Sequence, residues 1–374
     1  MFFSLSCFQT VKPKFKVPQK QILNWLIDAH IQSEKTKNPN VEDNFKSEIK
    51  HRFEKVACKD GNIEFRGSSI EDYQHTNWEQ MEIYNLVENP SGLGLEIRTK
   101  VFSSIVDDIF KKLYEDCNSI PSNIIHVTCT GYTSPSPAQK LVSYKKWGTK
   151  TQITHAYHMG CYGSIPAIKI ANAFYYNDGK SPTDIVHTEV CSLHTNPNLH
   201  DYPQIVAQSL FADGFIRYTL SKNPGMKILA LHQETIDNTE DAMLWSVSEY
   251  GFKIHLAKEI PVLIARNLKQ FITNMLRGTN ISFEKALKEA IFAIHPGGPK
   301  IIQNIKDILN LNDKQVDDSK KVLKSHGNMS SATLPHIWKN ILENKQIPKN
   351  ALIVSLAFGP GLSISGCILK KEIN

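Results

Sequence analysis

The sequence has no CxxC pair, no run near the roughly 18 apolar residues of a membrane span, and no strong excess of either charge. Each absence closes off a class of function. The seven cysteines, Cys7, Cys58, Cys117, Cys129, Cys161, Cys191 and Cys367, are odd in number and scattered. That argues against a disulfide framework and for a reducing compartment. The first residues, MFFSLSCFQTVKPKFK, set apolar side chains ahead of basic ones, the reverse of a secretory signal. A cytoplasmic protein that enters no membrane is expected. The net charge of +6 is too small to argue for DNA, and basic residues do not interleave with aromatics as a nucleic-acid groove requires. No nucleic-acid partner is expected.

What is present suits a large globular chain. With 374 residues, 41% of them hydrophobic, it can build two domains or one domain of two halves. A first strand and Pro-bounded turns lead to a helix from about Gln19, then to a polar surface loop over 33–45. A helix begins near residue 95, and NIIHVTCT reads as a strand. DIVHTEVCSL, YPQIVAQSLFADGFIRYTL and MKILALHQETI continue a strand-then-helix rhythm. Beyond about residue 225 the rhythm restarts: EIPVLIARNLKQFITNML as a helix, AIFAIHP as a short strand, another helix, then two buried strands around a Gly-Pro-Gly turn in NALIVSLAFGPGLSISGCILKK. Such alternation predicts α/β layers, in an N-terminal half over 1–222 and a C-terminal half over 223–374.

The chemistry centres on THAYHMGCYGSIPAIK, where Cys161 stands between glycines ahead of an apolar helix. It can be a core thiol, a metal ligand or a nucleophile. His155, His158 and Cys161 have ligand-like spacing, as do His187, Cys191 and His194, but neither set reaches four ligands, so no metal is expected. As a nucleophile Cys161 is better placed. Gly160 and Gly163 permit a tight turn, Pro166 suits a first helical turn, and a helix N-terminus lowers a thiol's proton affinity. Downstream, AIFAIHPGGPKII presents His295 at a strand end, and SHGNMSSATLP presents Asn328 before a helix start. Taken singly, each has an ordinary structural reading; together they make an ordered Cys–His–Asn set. Papain-like proteases share that order, but their C-G-[SA]-C-[WY] setting is missing and Cys161 lies mid-chain.

The segments MGCYGSIPAIKIAN, SLFADG, GFKIHLAKEIP, AIHPGGPKII, HGNMSSAT and AFGPGLSIS together resemble the chalcone-synthase-like type III polyketide synthases, a family of thiolase-fold condensing enzymes. The resemblance runs in family order over roughly 120–370. It implies an α/β thiolase-like fold, five-layered αβαβα, of two similar halves, and a homodimer. It also implies catalysis without a resident cofactor, with acyl-CoA and malonyl-CoA as substrates. Cys161 would take the acyl group, while His295 and Asn328 would hold the malonyl thioester carbonyl as carbon dioxide leaves. A protonated His295 would pair with the Cys161 thiolate. Phe211 matches an aromatic that shields the centre. Arg52, Lys55 and Lys59, in KHRFEKVACKD, would meet the coenzyme A phosphates from one helix face, or dock an acyl carrier protein.

Four positions depart from the plant pattern. Ile254 replaces a second shielding aromatic, Trp245 stands where a small glycine lines the elongation cavity, His194 replaces a threonine that steers cyclisation, and Ser136 replaces an interface methionine. Ser330 keeps the family's serine in the cavity wall. Trp245 predicts few condensations, from a long-chain or otherwise unusual starter. The rival readings are a carrier-protein-dependent ketosynthase of the same fold, joining chains or forming a pyrone, and a non-catalytic thiolase-fold subunit.

Overall fold

The computed structural model describes residues 3–41, 43–117, 119–178 and 182–373. The N-terminal strand β1 (Ser4–Val11) is followed by β2 (Phe15–Pro18), α1 (Gln19–Lys37), α2 (Asp43–Val56) and β3 (Phe65–Ser68). Next come α3 (Leu95–Leu113), β4 (Asn123–Thr128), α4 (Pro137–Tyr144), β5 (Gln152–Tyr157), α5 (Ser164–Asp178), β6 (Thr183–Glu189), α6 (Tyr202–Gln208) and β7 (Gly214–Ser221). The remainder is β8 (Met226–Thr235), the hairpin β9 (Met243–Val247) and β10 (Phe252–Leu256), α7 (Ile260–Leu276), α8 (Phe283–Glu289) and β11 (Ile291–Ile294), then α9 (Pro299–Ile308), α10 (Asp313–His326), α11 (Thr333–Glu343), β12 (Leu352–Gly359) and β13 (Ser363–Lys371).

Among the described residues nine strands form one mixed sheet in the order β11-β12-β13-β8-β1-β7-β6-β4-β5. Its two ends differ from its middle. β1 pairs with β7 along most of its length, but with β8 only through Ser4–Lys227 and Leu5–Met226. The sheet is therefore a five-stranded and a four-stranded half joined at a narrow seam. Three hydrophobic cores fill the spaces. One, carrying α1, α2, α3 and α4, backs the N-terminal strands. Another, carrying α7, α8, α9 and α10, backs the C-terminal strands. Between them lies the core of α5 and α11, where Ile165, Ile168, Ile337 and Trp338 meet strand residues of both halves. Helix, sheet, helix, sheet, helix is the layering that three separate cores require.

The two central helices are buried where the sheets cover them, over 164–168 in α5 and 333–338 in α11, while Lys169 and Glu343 reach solvent. Trp338 is fully buried, its indole N–H donating to Ser355 Oγ at 2.8 Å.

Three local expectations need correction. The polar loop of 33–45 is shorter, because α1 continues to Lys37 and α2 begins at Asp43; Lys37–Glu34 and Lys46–Asp43 pairs support those ends. Glu42 lies outside the described residues. The stretch YPQIVAQSLFADGFIRYTL is a short helix and then a strand, since Gly214–Ser221 is held between β1 and β6 and buried. Lys59 lies beyond the end of α2, so it does not share a helix face with Arg52 and Lys55. Among the described residues no helix is long and apolar enough to cross a membrane.

Candidate active site

Cys161 sits just past the carboxyl end of β5, in a 3-10 turn over Gly160–Tyr162 that feeds α5. Gly160 has φ 75°, and a Cβ there would lie 2.5 Å from Pro360 Cδ, so glycine is required twice over. Its N–H donates to Cys129 Sγ at 3.0 Å.

Asn328 precedes a matching turn, Ser330–Ala332, that feeds α11. Its backbone bridges the strand-like segment at Phe211: Asn328 N–H donates to Leu210 O at 2.9 Å and Ala212 N–H to Asn328 O at 2.8 Å. Its side-chain Oδ1 accepts the Ser330 N–H at 2.9 Å. That bond fixes the amide and leaves its N–H groups as the free end, beside Cys161, whose thiol they support. Ser330 Oγ lies 3.9 Å from Cys161 Sγ. The structure thus brings Cys161, Asn328 and Ser330 together.

His295 follows β11, parallel to β12, and its N–H donates to Leu356 O at 2.7 Å. It is buried, and among the described residues neither ring nitrogen has a partner. No hydrogen bond joins it to Cys161. Cys161 and His295 each lie just beyond the carboxyl end of a strand in a parallel pair, where open α/β sheets present their ligands.

Burial works against the expected thiolate–imidazolium pair at both of its ends. Burial pushes the Cys161 thiol up to about 12, helped by the nearby Glu189 carboxylate and opposed by the Ser330 and Asn328 hydrogen bonds. Burial holds His295 down to about 3. Both charged forms lose more hydration than the site returns, which favours the neutral form of each.

Glu189 escapes a reading by motif. It is a buried carboxylate whose Oε2 accepts Cys129 N–H at 3.0 Å and Thr130 Oγ1–H at 3.1 Å, while Oε1 accepts the Ser331 N–H and hydroxyl. It ties the loop after β4 to the turn ahead of α11. The sequence offers little signal for it, because the strand DIVHTEV also carries Asp184, His187 and Thr188.

Two small cavities neighbour each other at the site, and one of them adjoins the thiol. One, of about 30 Å³, is lined by Cys161, Gly160, Cys129, Phe211, Trp245 and Ser330, with Ile254 beside them. The second, of about 40 Å³, shares Cys191, Phe211, Trp245 and Ile254 with the first. Volumes of this size hold only a few waters. Trp245 stands directly across the β9–β10 hairpin from Ile254, donates its indole N–H to Cys129 O at 2.7 Å and leans on Phe211 at 6.4 Å between centroids. Phe211, Trp245 and Ile254 therefore form one wall.

His194 is not the titratable group expected of it. Its Nε2–H donates to Thr130 O at 2.7 Å, its Nδ1 accepts the Phe252 N–H at 3.1 Å, and burial holds it down to about 3. With both nitrogens engaged and the ring stacked on Phe252, it is a neutral strut. The other histidines of the metal-like sets are likewise engaged: His155 with Ser136, His158 with Tyr132 and the Trp245 carbonyl, His187 with Ser331 and Tyr218. Ser136 caps α4 from within its own chain. Of the basic group, Arg52 donates to His200 O at 2.8 Å and pairs with Glu48, and Lys55 lies over the Tyr202 ring. Lys59 is exposed.

Cys161 at a helix entrance, Asn328 and Ser330 beside it and the buried His295 at a neighbouring strand end make up the candidate site. The comparisons point to one family. Residues 227–372 match the chalcone and stilbene synthases, C-terminal domain. A polyketide synthase of Dictyostelium discoideum is 31% identical over 260 residues, covering 67% of this chain and 8% of that protein. Type III polyketide synthase C of Arabidopsis thaliana is 25% identical over 260 residues, 67% of each chain. Among solved structures, the C-terminal type III polyketide synthase domain of Steely1, a type I/III hybrid from Dictyostelium, superposes with a TM-score of 0.83 over 100% of both chains at 24% identity. PKS-I from the brown alga Ectocarpus siliculosus gives 0.80 at 19% identity, over 99% of this chain and 98% of its own. By these matches the chain is similar to the chalcone-synthase-like type III polyketide synthases and shares their fold.

Proposed function

We propose that the chain is a condensing acyltransferase that loads an acyl group on Cys161 and extends it with malonyl-CoA. The observation carrying this is Asn328: with Oδ1 given to Ser330 N–H, its amide N–H groups face the thiol. Attack of the Cys161 sulfur on an acyl-CoA carbonyl expels coenzyme A and leaves an acyl-cysteine. The thioester oxygen of malonyl-CoA then sits against Asn328 and one His295 nitrogen. As the carboxylate leaves as carbon dioxide, its bonding electrons form an enolate, and two neutral donors stabilise the charge without protonating the carbanion. The enolate carbon attacks the acyl-cysteine and expels the thiolate. Phe211 and the Trp245–Ile254 pair keep water from the acyl-enzyme. Trp245 fills space that a longer chain would need, which supports few condensations.

In this reading the enzyme needs no resident cofactor and works as a cytoplasmic homodimer. Arg52, Lys55 and Lys59 meet the coenzyme A phosphates. A second reading, loading from an acyl carrier protein, is supported by the Steely1 domain, which belongs to a type I/III hybrid.

Acyl loading followed by intact mass tests the proposal. Purified protein and Cys161→Ala are incubated with a panel of acyl-CoA starters and no malonyl-CoA. A mass increment present in the wild type and lost in the variant is expected. No increment from any acyl-CoA would sink loading from free thioesters, and an increment retained by Cys161→Ala would sink the assigned nucleophile.

A further inference from the structure

The second cavity contains an unspent cation. Arg66, on β3, is only 3% exposed and lines the chamber that adjoins the Cys161 cavity. Its Nε–H donates to Gln19 Oε1 at 2.8 Å, and Nη1 donates to the carbonyls of Gln208 at 2.6 Å and Phe211 at 2.8 Å. All three acceptors are neutral. Among the described residues Nη2 has no partner at all.

Asp213 influences Arg66 only from a distance. Burial raises it to about 6, so it is largely ionised at neutral pH, but its oxygens are taken by Ser69 N–H, Ser192 N–H and the Ser192 hydroxyl and make no hydrogen bond to Arg66. Arg66 itself, lowered by burial to about 10, stays cationic at neutral pH. The polar neighbours in the chamber are already committed: Tyr73 OH to Thr195 Oγ1 at 2.6 Å, and His194 on both nitrogens. A buried guanidinium bonded only to neutral groups favours an incoming carboxylate, whose oxygens match its planar donors.

We propose that this chamber is a carboxylate subsite, holding the distal free carboxylate of a dicarboxylic acyl group whose other end is thioester-linked to Cys161. The inference rests on the condensing reading above. The surfaces run in the order such a ligand needs, a thiol at one end, the rings of Phe211 and Trp245 beside an apolar spacer and the Arg66 fork at the far end, and the two cavities of about 30 and 40 Å³ must widen to admit the spacer. No bond is made or broken at the subsite; Arg66 Nη2–H donates to the carboxylate and orients the chain.

The test compares length-matched pairs on the full chain, glutaryl- against pentanoyl-CoA and adipoyl- against hexanoyl-CoA, with loading rates read by intact mass. In the wild type at least one dicarboxylic member should load about tenfold faster than its partner, the effect of one charge-assisted bond. Arg66→Gln should lower the dicarboxylic rate about tenfold more than the monocarboxylic rate, and Arg66→Lys should restore part of the difference. Equal loading of both members by the wild type overturns the subsite whether or not the variants fold. An equal fall of both in Arg66→Gln also overturns it, leaving Arg66 as a strut for the Gln208 and Phe211 carbonyls. Monocarboxylic loading without preference removes the subsite alone; no loading from any thioester removes the condensing reading beneath it.

Discussion

The turn ahead of α5 and the turn ahead of α11 share a shape. Each has a backbone at positive φ, a single 3-10 turn, and a buried helix behind it. One is built on glycine, Gly160 at φ 75°, the other on serine, Ser330 at φ 48°. At Gly160 there is no room for a side chain, because Pro360 lies where a Cβ would go. At Ser330 a side chain is present in spite of left-handed backbone, and Asn328 Oδ1 holds the strained N–H. The first turn places a reactive atom by removing everything around it. The second is held by hydrogen bonding, and Asn328, to which the proposal gives the donor role, is also the residue that holds the turn. Similar backbone in the two halves is therefore reached by unlike side-chain means, and Glu189 braces the second turn against the loop after β4.

That contrast can be broken at several points. Asn328→Asp keeps an oxygen for the Ser330 N–H but replaces the free donors with a carboxylate. Decarboxylation of malonyl-CoA, followed by carbon dioxide release, should fall about 10²–10³-fold, the usual cost of one lost oxyanion donor; a fall under tenfold would remove Asn328 from the chemistry. Since burial holds the Cys161 thiol up to about 12, the reactive thiolate is a minor form at neutral pH. Loading should rise about tenfold per pH unit from pH 6 to 9, because each unit below the pKa costs that factor in thiolate. A plateau near pH 7 would instead restore the ion pair with His295.

Gly160→Ala should destabilise the fold by about 1–2 kcal/mol from left-handed backbone alone, with the Pro360 contact adding to it. An unchanged denaturant midpoint would show that the turn can relax. Trp245→Gly should lengthen the product, read by mass spectrometry, and the same product as wild type would refute the steric account of this wall. Ser330→Gly should be the mildest change. Relief of strain and loss of chain stiffness offset each other within about 1 kcal/mol, while loading slows because Cys161 loses a supporting hydroxyl.

The sequence made both turns legible, because glycines around Cys161 and the GNMSS run mark them chemically. It also carried the β12–β13 hairpin, whose Gly-Pro-Gly turn is local. What it hid was non-local. Residues 214–221 read as a helical continuation, since their strand state depends on β1 and β6 on either side. Trp245 and Ile254 were noted as separate departures, yet the β9–β10 register makes them cross-strand neighbours and hence one wall. The protonation states of Cys161, His194 and His295 follow from burial, a property of the assembled core. Arg66 and Glu189 carried no motif, because a buried charge is recognisable only once its surroundings exist.

The narrow seam at β1 also has a kinetic meaning. β1 is made first, but its partners are Phe215–Ser221 and, across the seam, Met226–Lys227. During synthesis it must wait, unpaired, for almost the whole N-terminal half and the first residues of the next. Long-range pairing of this kind slows folding and leaves strand edges exposed meanwhile. Leu5, fully buried where the two half-sheets meet, can close the seam only once Met226 has been made, and β8 still lacks its other neighbour until Ser363–Lys371 follows.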